Sequence, residues 1–461
     1  MAGLNATNCT IALTGDSIIT RRIGHLNECD DQFAKLRSVL SDADATMTNL
    51  EVVTPNDDDA ATPLPPVPSQ YQYLSPLAGI LMRARPFVLD ELDDFGIDLF
   101  ATASNHSFDY GRSGMLSTAS ALGDRGLPFA GMGRTLAEAR HPVYVETTGG
   151  RVGLVAANAS IAPGSEAGSA SPIHPGRPGI NPLHLRWVYG ATEEQVDRLR
   201  KLSDELGIDE MKSTWLDRSD PGWETQSYYR FMHMAFETVE DESKIGVRFE
   251  PLENDRRAYL ESVAESAANA NRTIASLHAH QAPDGDRNTA KTPTFLQALA
   301  YDCIDAGADV FVVTGPHVLR GMEIYKDRPI FYSLGNLFYQ TETIDQLPKE
   351  SFDYYGIDDP TDTTELFRSR YFDSSGSPAG SLARDEYWET IVPVCRFENG
   401  GLHSIQLYPC VLGQNRELPQ RGTPRVATGE TATAILDHFE KLSKSHDIEF
   451  TSDGEVGSVV S

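Results

Sequence analysis

The stretch Ala103-Ser104-Asn105-His106-Ser107-Phe108-Asp109-Tyr110-Gly111 joins a predicted strand to a predicted helix. The apolar run 97–103 is typical of a buried strand, and residues 113–125 are predicted to be helical. Polar side chains able to do chemistry therefore stand where a strand ends. This strand–turn–helix unit is the building block of α/β folds, in which ligands bind beyond the carboxyl ends of strands.

Strands and helices alternate outward from this stretch. We predict strands at 46–50, 151–157, 273–277 and 310–313, and helices at 30–40, 191–206, 254–271, 294–306 and 430–445. A hairpin is predicted around residues 326–328, and a final strand pair at 390–395 and 403–410. The alternation indicates an α/β fold with a substantial sheet.

Composition narrows the class of protein. A chain of 461 residues exceeds the usual size of a single core, so we expect insertions or two domains. Its 67 acidic and 39 basic residues give a net charge of -28, which disfavours nucleic acid and anionic membranes as partners. The five cysteines show no CxxC spacing, so we expect free thiols rather than a zinc–thiolate site. Without a recognisable export signal, the chain is predicted to be cytoplasmic.

Five segments place a side chain able to bind a metal just after a predicted strand. The candidate ligands are Asp16, Glu51, Asn105, His278, His280 and His317. Carboxylate, imidazole and amide oxygen suit zinc, manganese or iron. Glu51 is the candidate to be shared between two ions.

The neighbouring His106 is the candidate general acid, and Asp109 can orient its ring by accepting an N–H. Each segment also has a structural interpretation. Gly15-Asp16 is usually a turn, Asn105-His106 can cap a helix, and Asp109 can pair with Arg112. The presence of five such segments in one chain favours a metal site over these separate structural roles.

A long Pro/Gly/Ser-rich loop spans 162–186, and loops of this length are often functional. We expect it to form part of the pocket. Its Arg177, Asn181 and Arg186 are candidates to bind a substrate carboxylate or phosphate, with ordinary surface roles equally compatible with the sequence.

These segments, in this order, resemble the poly-γ-glutamate capsule synthesis (CapA-type) family. The resemblance rests on Thr14-Gly15-Asp16, Thr48-Asn49-Leu50-Glu51, the stretch 103–111, Ser276-Leu277-His278-Ala279-His280, and residues 315–325 and 331–338. It implies a calcineurin-like metallophosphoesterase fold, a four-layer α/β/β/α sandwich of two mixed sheets with insertions.

The resemblance also implies roles for the residues. Asp16 and His317 would hold one metal, Asn105 and His278 another, and Glu51 would bridge them. His106 would be the acid, and His280 would add a ligand or contact substrate.

At two positions the chain departs from the metallophosphoesterase pattern. Ile18 stands where the first motif, Asp-x-His, has its histidine, and Thr314 stands about where a His-x-His pair begins. We therefore expect one or two ions.

The predicted organisation is a core at 8–340, with a loop and helical insertion at 162–270. An acidic insertion follows at 341–388, and residues 389–450 complete the same domain.

The function predicted from these features is metal-dependent hydrolysis of an amide, γ-glutamyl or phosphate bond in a small polar molecule. The alternative is a non-catalytic accessory role in poly-γ-glutamate or capsule biosynthesis. Phosphodiester cleavage in nucleic acid is a weaker third idea, because the charge opposes a polyanionic substrate.

Overall fold

The computed structural model describes residues 8–57, 59, 61–63, 80–215, 228–232, 234–283, 285, 287–446, 448 and 450–460. Residues 216–227, which belong to the predicted insertion at 162–270, lie outside the described residues.

Strands run through the whole described chain. The first are β1 (Cys9–Ile18), β2 (Ala45–Leu50), β3 (Leu99–Ala101), β4 (Phe129–Ala130), β5 (Met132–Gly133), β6 (Val143–Thr147), β7 (Gly150–Asn158), β8 (Gly179–Ile180), β9 (Leu185–Ala191), β10 (Tyr229–Phe231) and β11 (Met234–Thr238). The others are β12 (Gly246–Pro251), β13 (Arg272–His278), β14 (Val310–Thr314), β15 (Met322–Tyr325), β16 (Arg328–Phe331), β17 (Asn336–Tyr339), β18 (Glu389–Glu398), β19 (Gly401–Val411), β20 (Arg425–Val426), β21 (Thr451–Ser452) and β22 (Gly457–Val460).

Helices alternate with many of these strands. They are α1 (Asp31–Ser41), α2 (Phe87–Asp94), α3 (Gly111–Asp124), α4 (Leu136–Arg140), α5 (Glu193–Glu205), α6 (Ile208–Trp215), α7 (Glu253–Asn269), α8 (Thr294–Asp305), α9 (Lys349–Tyr355), α10 (Thr363–Tyr371) and α11 (Gly429–Ser443). Side-chain caps set several of the starts: Asp30 accepts the backbone N–H of Phe33 before α1, and Thr192 forms a capping box with Gln195 before α5.

Two large mixed sheets dominate the fold. The first has the order β21-β22-β19-β18-β1-β2-β3-β4, with β17 also paired to β1 and β20 to β19. Its β1 runs parallel to β2 and β17 but antiparallel to β18. The second sheet has the order β15-β16-β14-β13-β7-β6, parallel in the middle and antiparallel at both edges. The predicted α/β class is confirmed. Two small sheets, β10-β11-β9-β12 and β5-β8, accompany them.

Alternating side chains divide the core into three main clusters. In β14, Val310 and Val312 belong to a cluster that also contains Ile11 and Leu13 of β1, so it includes residues of both large sheets. Phe311, between the two valines in sequence, belongs to a different cluster.

The other two clusters join each sheet to helices. The sheet that contains β1 shares one cluster with α1, α2 and α3, through Phe33, Leu89 and Met115. The six-stranded sheet shares another with α7 and α8, through Val263 and Leu299.

All five cysteines are free, as expected, and four of them are buried. Among the described residues, no helix combines the length and apolar character needed to cross a bilayer.

Candidate metal centre

The predicted ligands come from strand ends in both large sheets. Asp16 lies late in β1, Glu51 directly follows β2, and Asn105 follows β3. His278 is the last residue of β13, and His317 follows β14. Parallel pairing places Asp16 beside Asn49 and His278 beside Thr314, so the strands reach their ends together. The structure brings these residues, with His280, into one buried cluster.

Close backbone approach fixes the Asp16 carboxylate. A Cβ atom on Gly15 would lie 1.9 Å from the carbonyl oxygen of Gly335, so only glycine fits there. The N–H of Asp16 donates to that carbonyl at 3.1 Å. Its carboxylate accepts the side-chain amide of Asn49 at 2.8 Å and the backbone N–H of Gly315 at 2.9 Å. Burial nevertheless raises the pKa of Asp16 to about 7.

The Glu51 carboxylate is completely buried, and neither of its oxygens has a hydrogen-bond donor among the described residues. Burial raises its pKa well above the ordinary value, and the negative charges of Asp16 and Asp109 raise it further. Two adjacent buried carboxylates hold either a shared proton or a cation. The Glu51 carboxylate is thus a buried acceptor that needs either a proton shared with Asp16 or a bound cation.

Two histidines and one asparagine meet beside Glu51. Nε2 of His278 lies 2.8 Å from Oδ1 of Asn105, 3.2 Å from Nε2 of His280 and 3.7 Å from Glu51. Nδ1 of His280 lies 2.7 Å from Oδ1 of Asn288, which orients the ring. Burial lowers the pKa of both histidines well below the ordinary value, and neighbouring histidines add to the effect. Both rings are therefore neutral, the form that binds metals.

His317 approaches the two carboxylates from another segment. Its backbone is left-handed, with φ of 59°. Its Nδ1 lies 2.8 Å from Oδ1 of Asn336, 3.5 Å from Asp16 and 4.0 Å from Glu51. Burial lowers its pKa to about 4.

These atoms form two groups with metal-ligand spacing. One group is Asp16, Glu51 and His317, the other is Glu51, His278 and His280, and Glu51 belongs to both. Within each group the potential ligand atoms lie within 4.8 Å of one another. The orphaned oxygens of Glu51 and the neutral imidazoles fit a divalent cation, since oxygen and nitrogen donors of these types bind such ions.

His106 and Asp109 form a separate pair next to the cluster. Nδ1 of His106 lies 2.7 Å from Oδ2 of Asp109, and the same oxygen accepts the N–H of Met82 at 2.6 Å. Asp109 is fully buried, and burial raises its pKa. This is the contact expected for a histidine oriented by a carboxylate.

A cavity of about 390 Å³ opens onto the cluster. Asn105, His106, His280 and His317 line it. Further lining residues are Ile18, Ile80, Met82, Arg287, Asn288, Tyr339, Thr341, Tyr355, Arg370, Tyr371, Gly380, Ser381 and Tyr387. Seven of these come from 341–388, so that segment forms much of the cavity wall.

The structure does not bring the three predicted substrate residues of loop 162–186 to this cavity. Nε of Arg177 donates to the carbonyl of Glu166, and the amide of Asn181 donates to the carbonyl of Ala156. Arg186 lies 3.6 Å from Glu250. Their polar groups serve loop and strand structure, and we correct the expectation that this loop lines the pocket.

Sequence reasoning missed several residues that support or line the site. Asn49 holds Asp16, and Asn336 holds His317. Asn336 begins the otherwise apolar strand β17, which is a detectable signal, whereas Asn49 shares β2 with two threonines and is less distinctive. Arg370 and Tyr387 line the cavity from the segment 341–388, and no motif spacing marks them.

Fold and site together define an α/β protein with a buried carboxylate–histidine cluster at its strand ends. Residues 10–341 match the sequence profile of the bacterial capsule synthesis protein PGA_cap, and the chain belongs to this family.

The chain is also similar to several individual proteins, two of which are named CapA. The chain is 31% identical to the uncharacterized protein y4sH of Sinorhizobium fredii over all of this chain and 95% of that protein. It is 34% identical to the PGA biosynthesis protein CapA of Bacillus subtilis, over 19% of this chain and 22% of the relative. A similar match, 44% identical over 12% of this chain and 13% of the relative, links it to the capsule biosynthesis protein CapA of Bacillus anthracis.

Proposed function

We propose that the protein is a metal-dependent hydrolase of a small polar substrate with an amide, γ-glutamyl or phosphate bond. The observation that carries this proposal is the buried Glu51, whose oxygens lack protein donors and which belongs to both ligand groups. Such a carboxylate is costly unless a cation compensates it.

In this proposal Asp16, Glu51 and His317 would hold one ion, and Glu51, His278 and His280 would hold a second, with Asn105 next to His278. Zinc, manganese or iron suits these donors, and one or two ions are compatible with them. The chemistry that a bound divalent cation supplies is Lewis acidity, which also lowers the pKa of water.

The residues of the chain itself perform the other tasks. His106 lines the cavity and donates a proton to the leaving group through Nε2, because Asp109 occupies its Nδ1 side. Asn49 and Gly315 hold the Asp16 carboxylate, and Asn336 holds the His317 ring. Tyr339 and Tyr387 flank His317, with ring centres 5.9 Å and 5.7 Å from the centre of its ring.

We further propose the four-layer α/β/β/α arrangement of metallophosphoesterases for this chain. The core cluster with residues of both large sheets, and the two clusters joining each sheet to helices, support it. A cytoplasmic location stays a prediction from the sequence.

The test measures metal and turnover together. Purified protein is analysed for bound metals, stripped with a chelator, reloaded with zinc, manganese or iron, and assayed on γ-glutamyl amides and phosphate esters. We expect loss of turnover on stripping and recovery on reloading. Full turnover after complete metal removal would reject the proposal.

Two histidine variants sharpen the test. His278→Ala removes a proposed ligand, whereas His403→Ala removes an exposed histidine of β19. Only the first should lower metal content.

A second candidate is an accessory, non-catalytic role in capsule polymer synthesis, favoured by the biosynthetic names of the two Bacillus relatives. Protein that binds no metal, together with a His278→Ala strain indistinguishable from wild type, would support it.

A further inference from the structure

The segment 341–388 brings a positive charge to the cavity. Arg370 lies in the last turn of α10 and lines the cavity together with Tyr355 of α9 and Tyr371. Its Nη1 donates to the hydroxyl of Tyr355 at 2.7 Å, and its guanidinium carbon lies 5.4 Å from the centre of the Tyr371 ring.

The guanidinium of Arg370 is incompletely paired. Its Nε is buried and has no hydrogen-bond partner among the described residues. Arginine near a helix C-terminus is stabilised by the helix dipole, which is the purely structural explanation. That explanation does not account for a buried donor left without an acceptor, since such a group costs free energy.

The charge of the cavity wall contrasts with that of the chain. The protein carries a net charge of -28. Among the described lining residues, however, Arg287 and Arg370 are the charged side chains apart from histidine, and none is aspartate or glutamate. The carboxylates of Asp16 and Glu51 belong to the metal cluster. A ligand in the cavity therefore meets positive charge and tyrosine rings.

We propose that Arg370 binds an oxyanion of the substrate, a carboxylate or a phosphate, and so selects small anionic molecules. This inference rests on the proposed function only where it calls the bound molecule a substrate. Binding of the anion itself does not depend on that function. A guanidinium pairs with such oxyanions through parallel N–H donors, and the free Nε supplies one of them. The Tyr355 hydroxyl holds the guanidinium, and the tyrosine rings offer apolar surface to the rest of the molecule.

The experiment measures binding of small anions to metal-free protein, so that no ion can attract them. Isothermal titration calorimetry uses glutarate and phenyl phosphate as probes, with glutaramide as the uncharged counterpart of glutarate. The wild type should bind at least one anion and not glutaramide. The preferred anion identifies the source of the oxyanion as carboxylate or phosphate.

Three variants locate the binding. Arg370→Gln should weaken the anion roughly tenfold or more, as expected for a lost charge-assisted hydrogen bond. Arg370→Lys should retain part of the affinity. Arg368→Gln, at an exposed position of the same helix turn that does not line the cavity, should bind like wild type. Thermal melts check that all variants fold.

Equal affinity in Arg370→Gln and wild type would overturn the inference, as would a wild type that binds neither anion. A protein that holds no metal yet binds anions through Arg370 would reject the hydrolase and leave this binding site intact. A metal-dependent hydrolase whose KM is unchanged in Arg370→Gln would instead support the hydrolase and reject the role of Arg370.

Discussion

Oδ2 of Asp109 contacts two groups at once: Nδ1 of His106 at 2.7 Å and the backbone N–H of Met82 at 2.6 Å. The carboxylate thereby ties the ring of His106 to the backbone at Met82, a segment 27 residues away from Asp109 in sequence. Because Nδ1 is occupied, Nε2 is the ring nitrogen left to act in the cavity.

Asp109→Asn should therefore lower kcat more than it changes KM. An amide cannot stabilise the charged imidazole as a carboxylate does, so we expect a loss of roughly 10- to 100-fold. The exposed Asp90, which pairs with Arg125, provides the control variant Asp90→Asn. Steady-state kinetics with a γ-glutamyl amide or phosphate ester that the protein turns over test this prediction. A wild-type kcat in Asp109→Asn would show that Asp109 does not position His106.

Glu51→Gln should make the metal-free protein more stable while abolishing metal binding in the shared position. The amide keeps the shape of the side chain, removes a buried group that resists ionisation beside Asp16, and can donate a hydrogen bond to Asp16. We expect a gain of about 1–3 kcal/mol at pH 8 without metal. Chemical denaturation with and without chelator measures the gain, and elemental analysis measures the loss. A less stable metal-free variant would contradict the cation-compensation argument.

The pH dependence of stability follows from the same carboxylate. The pKa of folded Glu51 is raised, so the folded state retains its proton where the unfolded chain, with a pKa near 4.5, has lost it. Metal-free wild type thus loses stability as pH rises above that value. Asp16 acts in the same direction up to its pKa of about 7. His317, whose pKa is lowered to about 4 in the folded protein, has the opposite effect: it adds stability as the pH rises from about 4 to the unfolded pKa of 6.5.

Other histidines contribute as well, so the measurement is a comparison. His184, whose pKa is raised to about 9 by Asp255 and Glu166, also loses its stabilising effect as pH rises. We therefore expect the stability difference between Glu51→Gln and metal-free wild type to widen from pH 5 to pH 8. Because His184 is common to both proteins, its effect cancels. A difference that stays constant with pH would show that Glu51 is already ionised in the folded protein.

How far the sequence predicts this site depends on where each residue stands. Glu51 and Asn105 follow strands, His278 ends one, and Asp16 lies two residues before the end of β1. The rule that ligands bind at the carboxyl ends of strands therefore brings these distant segments together. The α/β class followed from the alternation of predicted strands and helices along the chain. Strand 97–103 was predicted too long, since β3 covers Leu99–Ala101, because the chain leaves the sheet early to form the turn that carries Asn105.

The cavity wall could not be predicted in this way. A long Gly- and Pro-rich loop favours a functional role, but its composition does not show toward which part of the molecule its side chains point. The Asn181 amide, predicted to bind substrate, instead donates to a buried carbonyl of β7. Arg370 reaches the cavity because α10 packs onto the core through Leu366 and Phe367, a tertiary contact with no local sequence signal. Prediction from strand ends thus succeeds for residues whose position the sheet backbone dictates. It fails for residues such as Arg370, whose position depends on how a later segment packs onto the core.

The contact between Gly15 and Gly335 allows a final prediction. In Gly15→Ala the new methyl group would meet the Gly335 carbonyl oxygen at 1.9 Å, and backbone cannot yield as a side chain can. β17 must move away from β1, which displaces Asn336 and with it His317. We expect a loss of roughly 1–3 kcal/mol in stability, together with weaker metal binding. Gly123→Ala is the matched control, because a Cβ atom there meets nothing within 4 Å in helix α3. That variant should be more stable by about 0.5–1 kcal/mol, since alanine favours helix. Thermal melts and metal titrations of both variants test the contact: normal metal affinity in Gly15→Ala would show that the spacing of β1 and β17 does not set the site.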